Sequence, residues 1–260
     1  MNRQQLQYFL DKKVDEYNRP SFIERDPISI PHLYSQKRDI EIAGFFAALF
    51  AWGNRTIIIN KSKDLLQRMD NQPYQFILNH SEQDRKIFFG FKHRTFQDGD
   101  ILYLIEFLQQ HYKRFNSLED AFLISSGSKE YGEVQENRLR NFYQYAFSFP
   151  HLARTEKHIA TPAKNSACKR LNMYLRWMVR KDIQSVDFGL WSRIKTSELM
   201  VPLDVHVTRV AKKLNLLGDE KANWTQTLLL TKNLRNFDPV DPVKYDFALF
   251  GLGVVEKYWA

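Results

Sequence analysis

Helical periodicity is the feature of this sequence that most limits its fold. Residues 40–51, IEIAGFFAALFA, form an almost continuous apolar run that is typical of a buried helix. Residues 98–115 have the spacing of an amphipathic helix, with Asp98 or Asp100 as the candidate cap. Alternating strand patterns are scarce, and TIII at 56–59 is too short to count. The pattern therefore predicts an all-α protein, with further helices over residues 57–69, 117–126, 135–147, 166–181, 205–215, 222–236 and 242–258.

Length and apolar content predict a globular protein without a membrane span. The 260 residues suit one large domain or two small lobes with a real core. No uncharged apolar run reaches the roughly 18 residues that a span requires. The N-terminal stretch MNRQQLQYFLDKKVDEY mixes acids and amides into its apolar pattern, unlike a signal peptide. We therefore expect a cytoplasmic protein with no membrane partner.

Cysteine and histidine usage argues against metal cofactors. Cys168 is the only cysteine, which excludes an internal disulfide and an iron–sulfur cluster held by four cysteines of this chain. The seven histidines are scattered, with no HExxH pattern. We expect neither a bound metal nor another cofactor, and we interpret Cys168 as a small packing residue.

Positive charge is concentrated in one part of the chain. The net charge is +8, and residues 151–181 contain a single acid, Glu156, among many basic residues. Such a concentration suits a polyanion, most commonly a nucleic-acid backbone. The alternative is a solvated helix face that is balanced by acids from elsewhere in the fold. The basic side chains are Arg154, Lys157, Lys164, Lys169, Arg170, Arg176, Arg180 and Lys181.

Two helix starts carry the residues of greatest chemical interest. In NSACKRLNMYLRWMVRK, Ser166 is a candidate cap, and Lys169, Arg176 and Arg180 fall on one helical face. This helix could present a nucleophilic lysine while its arginines hold phosphates, although a surface charge is the simpler interpretation. In VPLDVHVTRVAKKLNLL, apolar spacing begins a helix just after Asp204. Asp204 is thus its predicted cap, and a cap can also serve as a catalytic acid.

The segment around Asp204 resembles the helix–hairpin–helix DNA glycosylases, chiefly their 8-oxoguanine and endonuclease III-like branches. Two earlier segments, ALFAWGNRTIIINKSKDLLQRM and FFGFKHRTFQDGDILYLIEFL, are similar to other parts of that superfamily. The resemblance runs from about residue 40 to the C-terminus. It implies one functional unit of two helical lobes around a central cleft. One lobe would span approximately residues 36–204, and the other would combine 1–35 with 205–260.

A closer resemblance is to a bacterial family known only as domain of unknown function 2400. Its hallmarks stand here as SACKRLNMYLRWMVR, VDFGLW, PLDVHVTRVA and DPVKYDFALFGLG. Two features depart from the glycosylase pattern. The hairpin segment TPAKNSACK has no glycine, and the spacing from Lys169 to Asp204 is long. An archaeal 8-oxoguanine glycosylase branch has a similarly long spacing and a reworked hairpin.

The glycosylase resemblance implies a role for each matching residue. Lys169 would be the nucleophile and Asp204 the acid, and Asn54 and Arg55 would fill the gap left by a flipped base. The other DNA contacts would come from Arg170, Arg176, Arg180 and His206. The base pocket would be lined by Trp52, Asp246, Phe247 and Phe250. The alternatives are a core tryptophan, an aspartate satisfied by a nearby arginine, and a histidine that only fills its helix turn.

The resulting expectation is a base-excision-repair DNA glycosylase with AP-lyase activity on an oxidised purine such as 8-oxoguanine. Its partner would be damaged double-stranded DNA in the bacterial nucleoid, and it would act as a monomer. Two alternatives remain open. One is a non-catalytic reader of damaged DNA, in which Lys169 only binds phosphate. The other is an RNA-binding protein on the same scaffold, because clustered arginines and 14% aromatic residues also suit single strands.

Overall fold

Helices make up most of the chain, as the periodicity predicts. In the computed structural model the described residues are 1–125, 133–219 and 221–258. The α-helices there are α1 Arg3–Tyr17, α2 Lys37–Phe50, α3 Arg55–Gln67, α4 Pro73–Asn79, α5 Asp98–Tyr112, α6 Val134–Ala146, α7 Lys169–Val179, α8 Val205–Lys213, α9 Trp224–Arg235 and α10 Tyr245–Val254. Short 3₁₀ helices span Pro20–Arg25, Pro27–Ser29, Pro31–Leu33, Asp84–Phe88, Leu118–Phe122, Ala153–His158, Pro162–Lys164, Thr196–Glu198 and Pro242–Lys244.

Extended structure is confined to one small hairpin in the described residues. Strand β1, Lys92–His93, pairs antiparallel with β2, Phe96–Gln97, with Lys92 opposite Gln97. The protein is therefore all-α, and the TIII stretch lies within α3. Within the parts of the chain that the structure describes, no helix combines the length and the apolar character that crossing a bilayer would require.

Contacts divide the chain into two compact units. The first unit comprises Met1–Glu24, Glu133–Gln135 and Ala160–Ala260, and the second comprises Arg25–Gly132 and Glu136–Ile159. This division differs from the predicted lobes in two places. Residues 25–35 belong with the second unit, and residues 160–204 belong with the two termini and not with residues 36–159. Ala167, Val201 and Leu203 explain the second difference, since all three are buried in the core that the terminal helices build.

The core of the first unit is aliphatic. Leu10 of α1, Val210 of α8, Leu230 of α9 and Leu249 of α10 are all fully buried in it. Helices α1 and α10 approach closely at Gly251, where an added Cβ would overlap the ring of Tyr17. Helix α1 buries Leu6, Leu10 and Val14 on one face, and most of α10 is buried, so the two helices pack through apolar side chains.

The core of the second unit is aromatic and is organised around α2. Every residue of α2 from Ile40 to Phe50 is buried. Phe142 of α6 stacks on Phe122 with 4.0 Å between ring centroids. The buried carboxylate of Glu41 accepts hydrogen bonds from the Tyr112 hydroxyl at 2.9 Å and the Leu118 amide at 3.1 Å. A buried carboxylate requires such donors, so Glu41 is a structural residue of this core.

Candidate active site

Asp204 caps α8, as its sequence predicts. Its Oδ1 accepts hydrogen bonds from the backbone amides of His206 at 2.9 Å and Val207 at 3.0 Å. These two bonds satisfy donors that would otherwise lack partners at the start of α8. They use only one carboxylate oxygen, so the cap holds the side chain in place while Oδ2 faces elsewhere.

A turn without glycine delivers Lys169 to the start of α7. Asn165 and Cys168 both adopt left-handed backbone conformations, with φ of 52° and 49°. These residues make the reversals for which glycine is the usual choice, and asparagine is among the side chains that tolerate them best. Ser166 does not cap α7, because Cys168 occupies the cap position and the Ser166 hydroxyl accepts from the Cys168 amide at 3.2 Å. Cys168 is buried, in agreement with its interpretation as a packing residue.

Lys169 and Asp204 face each other at the centre of the candidate site. The Lys169 Nζ lies 3.5 Å from Asp204 Oδ2, and the two side chains are 26% and 23% exposed. The same Nζ lies 6.0 Å from the centre of the Phe250 ring. An amine, a carboxylate and an aromatic ring thus meet at a place that solvent or a ligand can reach. The two residues that the resemblance pairs are therefore neighbours in the fold.

The prediction that Arg176 binds a phosphate is wrong. Its guanidinium is buried, with Nε 3.2 Å from Asp187 Oδ1, and it also forms an ion pair with Asp246. Its Cζ lies 4.3 Å from the centre of the Phe247 ring. Two carboxylates and an aromatic face occupy the surroundings of this side chain, because a buried guanidinium must be paired.

The same correction applies to Arg180. It is buried and pairs with three carboxylates, with Nη1 2.6 Å from Asp182 and 3.1 Å from Asp187, and Nε 2.8 Å from Asp241. Burial lowers the pKa of the Arg180 guanidinium, but the three carboxylates more than offset this and the net pKa is raised. The acids that neutralise it are provided by two segments that follow α7 in the chain.

One of these segments is held in place by a close backbone approach. The amides of Phe188 and Trp191 donate to the carbonyls of Trp177 at 2.7 Å and Met178 at 2.9 Å. Gly189 has φ of 58°, and an added Cβ would lie 2.5 Å from Cβ of Lys181. Glycine is needed there because of both the backbone conformation and the space. The result is that Asp187, two residues earlier, lies fully buried beside the arginines.

Asp246 connects this buried network to Lys169 and Asp204. Burial raises the pKa of Asp246 to about 6, against the lowering effects of the Arg176 and Lys169 charges, and the Asp204 charge adds to the increase. The alternative that the sequence left open, an aspartate satisfied by a nearby arginine, is therefore present in the structure. The carboxyl of Asp246 nonetheless lies within electrostatic reach of the Lys169–Asp204 pair.

The two phenylalanines of α10 differ in accessibility. Phe247 is only 1% exposed and packs on Arg176, so the prediction that it lines a base pocket is wrong. Its ring supports the arginines and cannot offer a face to a ligand. Phe250 is partly buried and lies next to Lys169, and its role in a base pocket stays a prediction.

The second unit contains the predicted wedge residues. Asn54 is exposed and caps α3, accepting from the Ile57 amide at 3.2 Å, and Arg55 is the first residue of that helix. Trp52 is 52% exposed, which excludes the core tryptophan that the sequence left open. The Arg94 guanidinium, from the turn of the β1–β2 hairpin, lies 4.9 Å from the Trp52 ring. Trp52 and Asn54 are thus exposed, and the roles of Trp52, Asn54 and Arg55 in DNA binding stay predictions.

Arg170 and His206 are partly buried in the first turns of α7 and α8, and their DNA contacts also stay predictions.

Sequence reasoning missed two residues of the site, Asp187 and Phe22. Asp187 had a signal, since it is a single acid between Val186 and Phe188 in VDFGLW. Phe22, whose ring packs on Phe247 and Phe250, had none, because it lies in a short 3₁₀ helix with no periodic pattern. Over the described residues, no group of three or more histidine, cysteine or acidic side chains could hold a metal ion.

Comparison with known proteins identifies one family. The model of the family described as protein of unknown function (DUF2400) matches residues 26–255. No curated protein and no solved structure matches the chain. The match covers nearly all of the second unit and, in the first unit, residues 133–135 and 160–255, which include α7, α8 and α10 but not α1. It therefore includes every residue of the candidate site except Phe22.

Proposed function

Because this chain belongs to the family described as protein of unknown function (DUF2400), its chemistry has to be inferred from its site, and we propose that it is a DNA glycosylase with AP-lyase activity. One observation carries the proposal: Lys169 Nζ lies 3.5 Å from Asp204 Oδ2, next to an aromatic ring. Removal of a base through a Schiff base requires a lysine and a carboxylate that is held in place, and both must be accessible to the substrate. The likeness to the helix–hairpin–helix glycosylases is part of this proposal.

Lys169 acts as the nucleophile. Its neutral amine attacks C1′ of the damaged nucleotide, the glycosidic bond breaks, and the departing base takes the electron pair and then a proton. The attached nitrogen loses a proton to Asp204 or water. The bond from C1′ to the ring oxygen then breaks, the ring oxygen takes the electron pair of that bond and a proton back from Asp204 or water, and an imine forms between Lys169 and C1′. Loss of a C2′ proton together with the 3′ phosphate then cleaves the strand, and water releases the lysine.

Asp204 stabilises the positive charge that develops on the sugar as the base departs. The hydrogen bonds from the amides of His206 and Val207 hold its carboxylate, so little reorganisation is needed at the moment of reaction. The duplex interior is closed to side chains, so the nucleotide must leave the stack first. Asn54 and Arg55 are proposed to occupy the gap that it leaves, and Trp52 is proposed to stack on the flipped purine.

The proposed substrate is double-stranded DNA that contains an oxidised purine such as 8-oxoguanine, in the bacterial nucleoid, and the proposed acting form is the monomer. The net charge of +8 supports a polyanionic partner. Arg176 and Arg180 are paired with buried carboxylates, so we do not count them among the side chains that would contact phosphates.

Borohydride trapping tests the proposal. The protein is incubated with a duplex that carries one 8-oxoguanine, and borohydride converts any imine to a stable amine that is visible as a covalent complex by gel. Wild type and Lys181→Gln, which changes an exposed lysine just beyond α7, are expected to form the complex. Lys169→Gln is expected to form none while it still binds the duplex. Binding without a complex in wild type would instead favour the non-catalytic reader.

A further inference from the structure

Phe22 lies against the aromatic residues of α10. It belongs to the 3₁₀ helix Pro20–Arg25 and is partly buried. Its ring meets Phe247 edge-to-face with 5.4 Å between centroids, and it meets Phe250 edge-to-face at 6.1 Å. Phe247 is fully covered, whereas Phe22 and Phe250 both keep part of their surface accessible.

The chain around Phe22 is tied to the buried charges of the site. The Phe22 amide donates to the Arg19 carbonyl at 2.9 Å. The buried amide side chain of Asn18 donates to Asp182 Oδ2 at 2.5 Å, and Asp182 in turn pairs with Arg180. These bonds hold the segment that presents Phe22. A preorganised ring loses little conformational freedom when a ligand stacks on it.

Phe250 lies between the Phe22 contact and the reactive lysine, because its ring is close to both. The Phe250 ring is 6.1 Å from the Phe22 ring and 6.0 Å from Lys169 Nζ. A nucleotide whose C1′ is attacked by Lys169 must place its base within a few ångströms of that amine. Nucleobases are flat and apolar on their faces, and aromatic side chains are the usual partners for such faces.

We propose that Phe22 and Phe250, whose rings meet edge-to-face at 73°, form an aromatic corner in which the extruded base stacks on the Phe22 ring and contacts Phe250 while Lys169 attacks its sugar. This inference rests on the proposed function and adds to it a base-stacking residue from the N-terminal segment. Phe250 is the side of the corner beside Lys169, and Phe22 is the other side.

An alternative is that Phe22 only packs on Phe247 and stabilises the fold. The two roles predict different reaction rates on two substrates when Phe22 is substituted. A stacking residue matters only when a base is present, whereas a structural residue would affect every reaction of Lys169. A duplex with an abasic site has no base to stack and still offers C1′ to the amine.

The experiment compares two duplexes that are identical except at one nucleotide, which is either 8-oxoguanine or an abasic site. Single-turnover base release is measured on the first, and borohydride trapping is measured on the second. The variants are Phe22→Leu, which keeps apolar volume without a ring, and Phe22→Tyr, which keeps the ring. Phe9→Leu is the matched control, a partly buried phenylalanine of the same unit whose ring packs on Tyr258.

Phe22→Leu is expected to slow release of 8-oxoguanine about tenfold or more, as loss of one base–aromatic stack does. Trapping on the abasic duplex should stay near the wild-type rate, and Phe22→Tyr and Phe9→Leu should resemble wild type on both duplexes. Equal losses on the two duplexes, or normal release by Phe22→Leu, would overturn the stacking role alone. A wild-type protein that neither releases 8-oxoguanine from the first duplex nor is trapped on the second would contradict the proposed function, and this inference with it.

Discussion

Lys169 Nζ lies 3.5 Å from Asp204 Oδ2, while Oδ1 of the same carboxylate accepts hydrogen bonds from the backbone amides of His206 and Val207 in α8. The geometry of Asp204 is therefore compatible with both roles, that of a helix cap and that of a catalytic acid. One oxygen serves the helix and the other faces the amine. The two roles can be separated by substitution, because a cap needs an acceptor oxygen and charge stabilisation needs a carboxylate.

Asp204→Asn is expected to keep the cap and lose the reaction. An asparagine oxygen still accepts from the amides of His206 and Val207, so the free energy of unfolding should fall by only a few tenths of a kcal/mol, against about 1 kcal/mol for Asp204→Ala. Both variants should lower the trapping rate by about 100-fold or more, since neither carries the charge. Urea denaturation and single-turnover trapping measure the two effects. A normal trapping rate in Asp204→Asn would reduce Asp204 to a cap.

Arg176→Met is expected to destabilise the protein severely. The substitution leaves Asp187 and Asp246 buried without their shared cation, which costs about 3–5 kcal/mol when one partner of a buried ion pair is removed. Lys164→Met, which changes an exposed side chain of the turn before α7, should alter the free energy of unfolding by less than about 0.5 kcal/mol. If Arg176→Met were as stable as wild type and bound DNA with a weaker salt dependence, Arg176 would be a phosphate contact after all.

Asp246 is expected to couple stability to pH. Its pKa is raised from 3.8 to about 6 by burial, so between these values the folded protein holds a proton that the unfolded chain has released. The stability from this group is complete below the lower value and is lost as pH rises through the higher one. Relative to Asp246→Asn, the wild-type free energy of unfolding should fall by up to about 3 kcal/mol between pH 4 and 6.

The measurement is urea denaturation of both proteins at several pH values, and it uses only the difference between them. All other titrating groups are common to the two proteins, so their effects cancel in that difference. A difference that stays constant from pH 4 to 6 would mean that Arg176 keeps Asp246 ionised throughout this range.

Gly251→Ala is expected to loosen the packing of α1 on α10. The added methyl group would overlap the ring of Tyr17, and the displacement should cost about 1–3 kcal/mol. Gly218→Ala is the control in the same unit, because an added Cβ there meets no atom within 4 Å. Thermal unfolding of the two variants gives the comparison. Equal melting temperatures would show that Tyr17 can move aside at no cost.

The all-α class and the position of most helices follow from local pattern. The apolar run of α2, the spacing of α8 and the cap at Asp204 are properties of neighbouring residues, and the structure agrees with each of them. Helices α1 and α4 were not predicted, since polar residues interrupt the pattern of α1 and α4 is only seven residues long. The segment 117–126 holds a 3₁₀ helix over Leu118–Phe122.

The sequence by itself determined which residues are chemically capable: the basic helix with Lys169, the aspartate that opens α8, and the aromatic residues of α10. Only the tertiary structure decided which charges are free to act. Lys169, Arg176 and Arg180 are equivalent by helical spacing, yet one is partly exposed beside Asp204 and two are buried among carboxylates. Those carboxylates lie up to 70 residues from their arginine in the chain, as with Arg176 and Asp246. Ion pairing depends on distance in space, and a linear pattern has no information on that distance until the chain has folded.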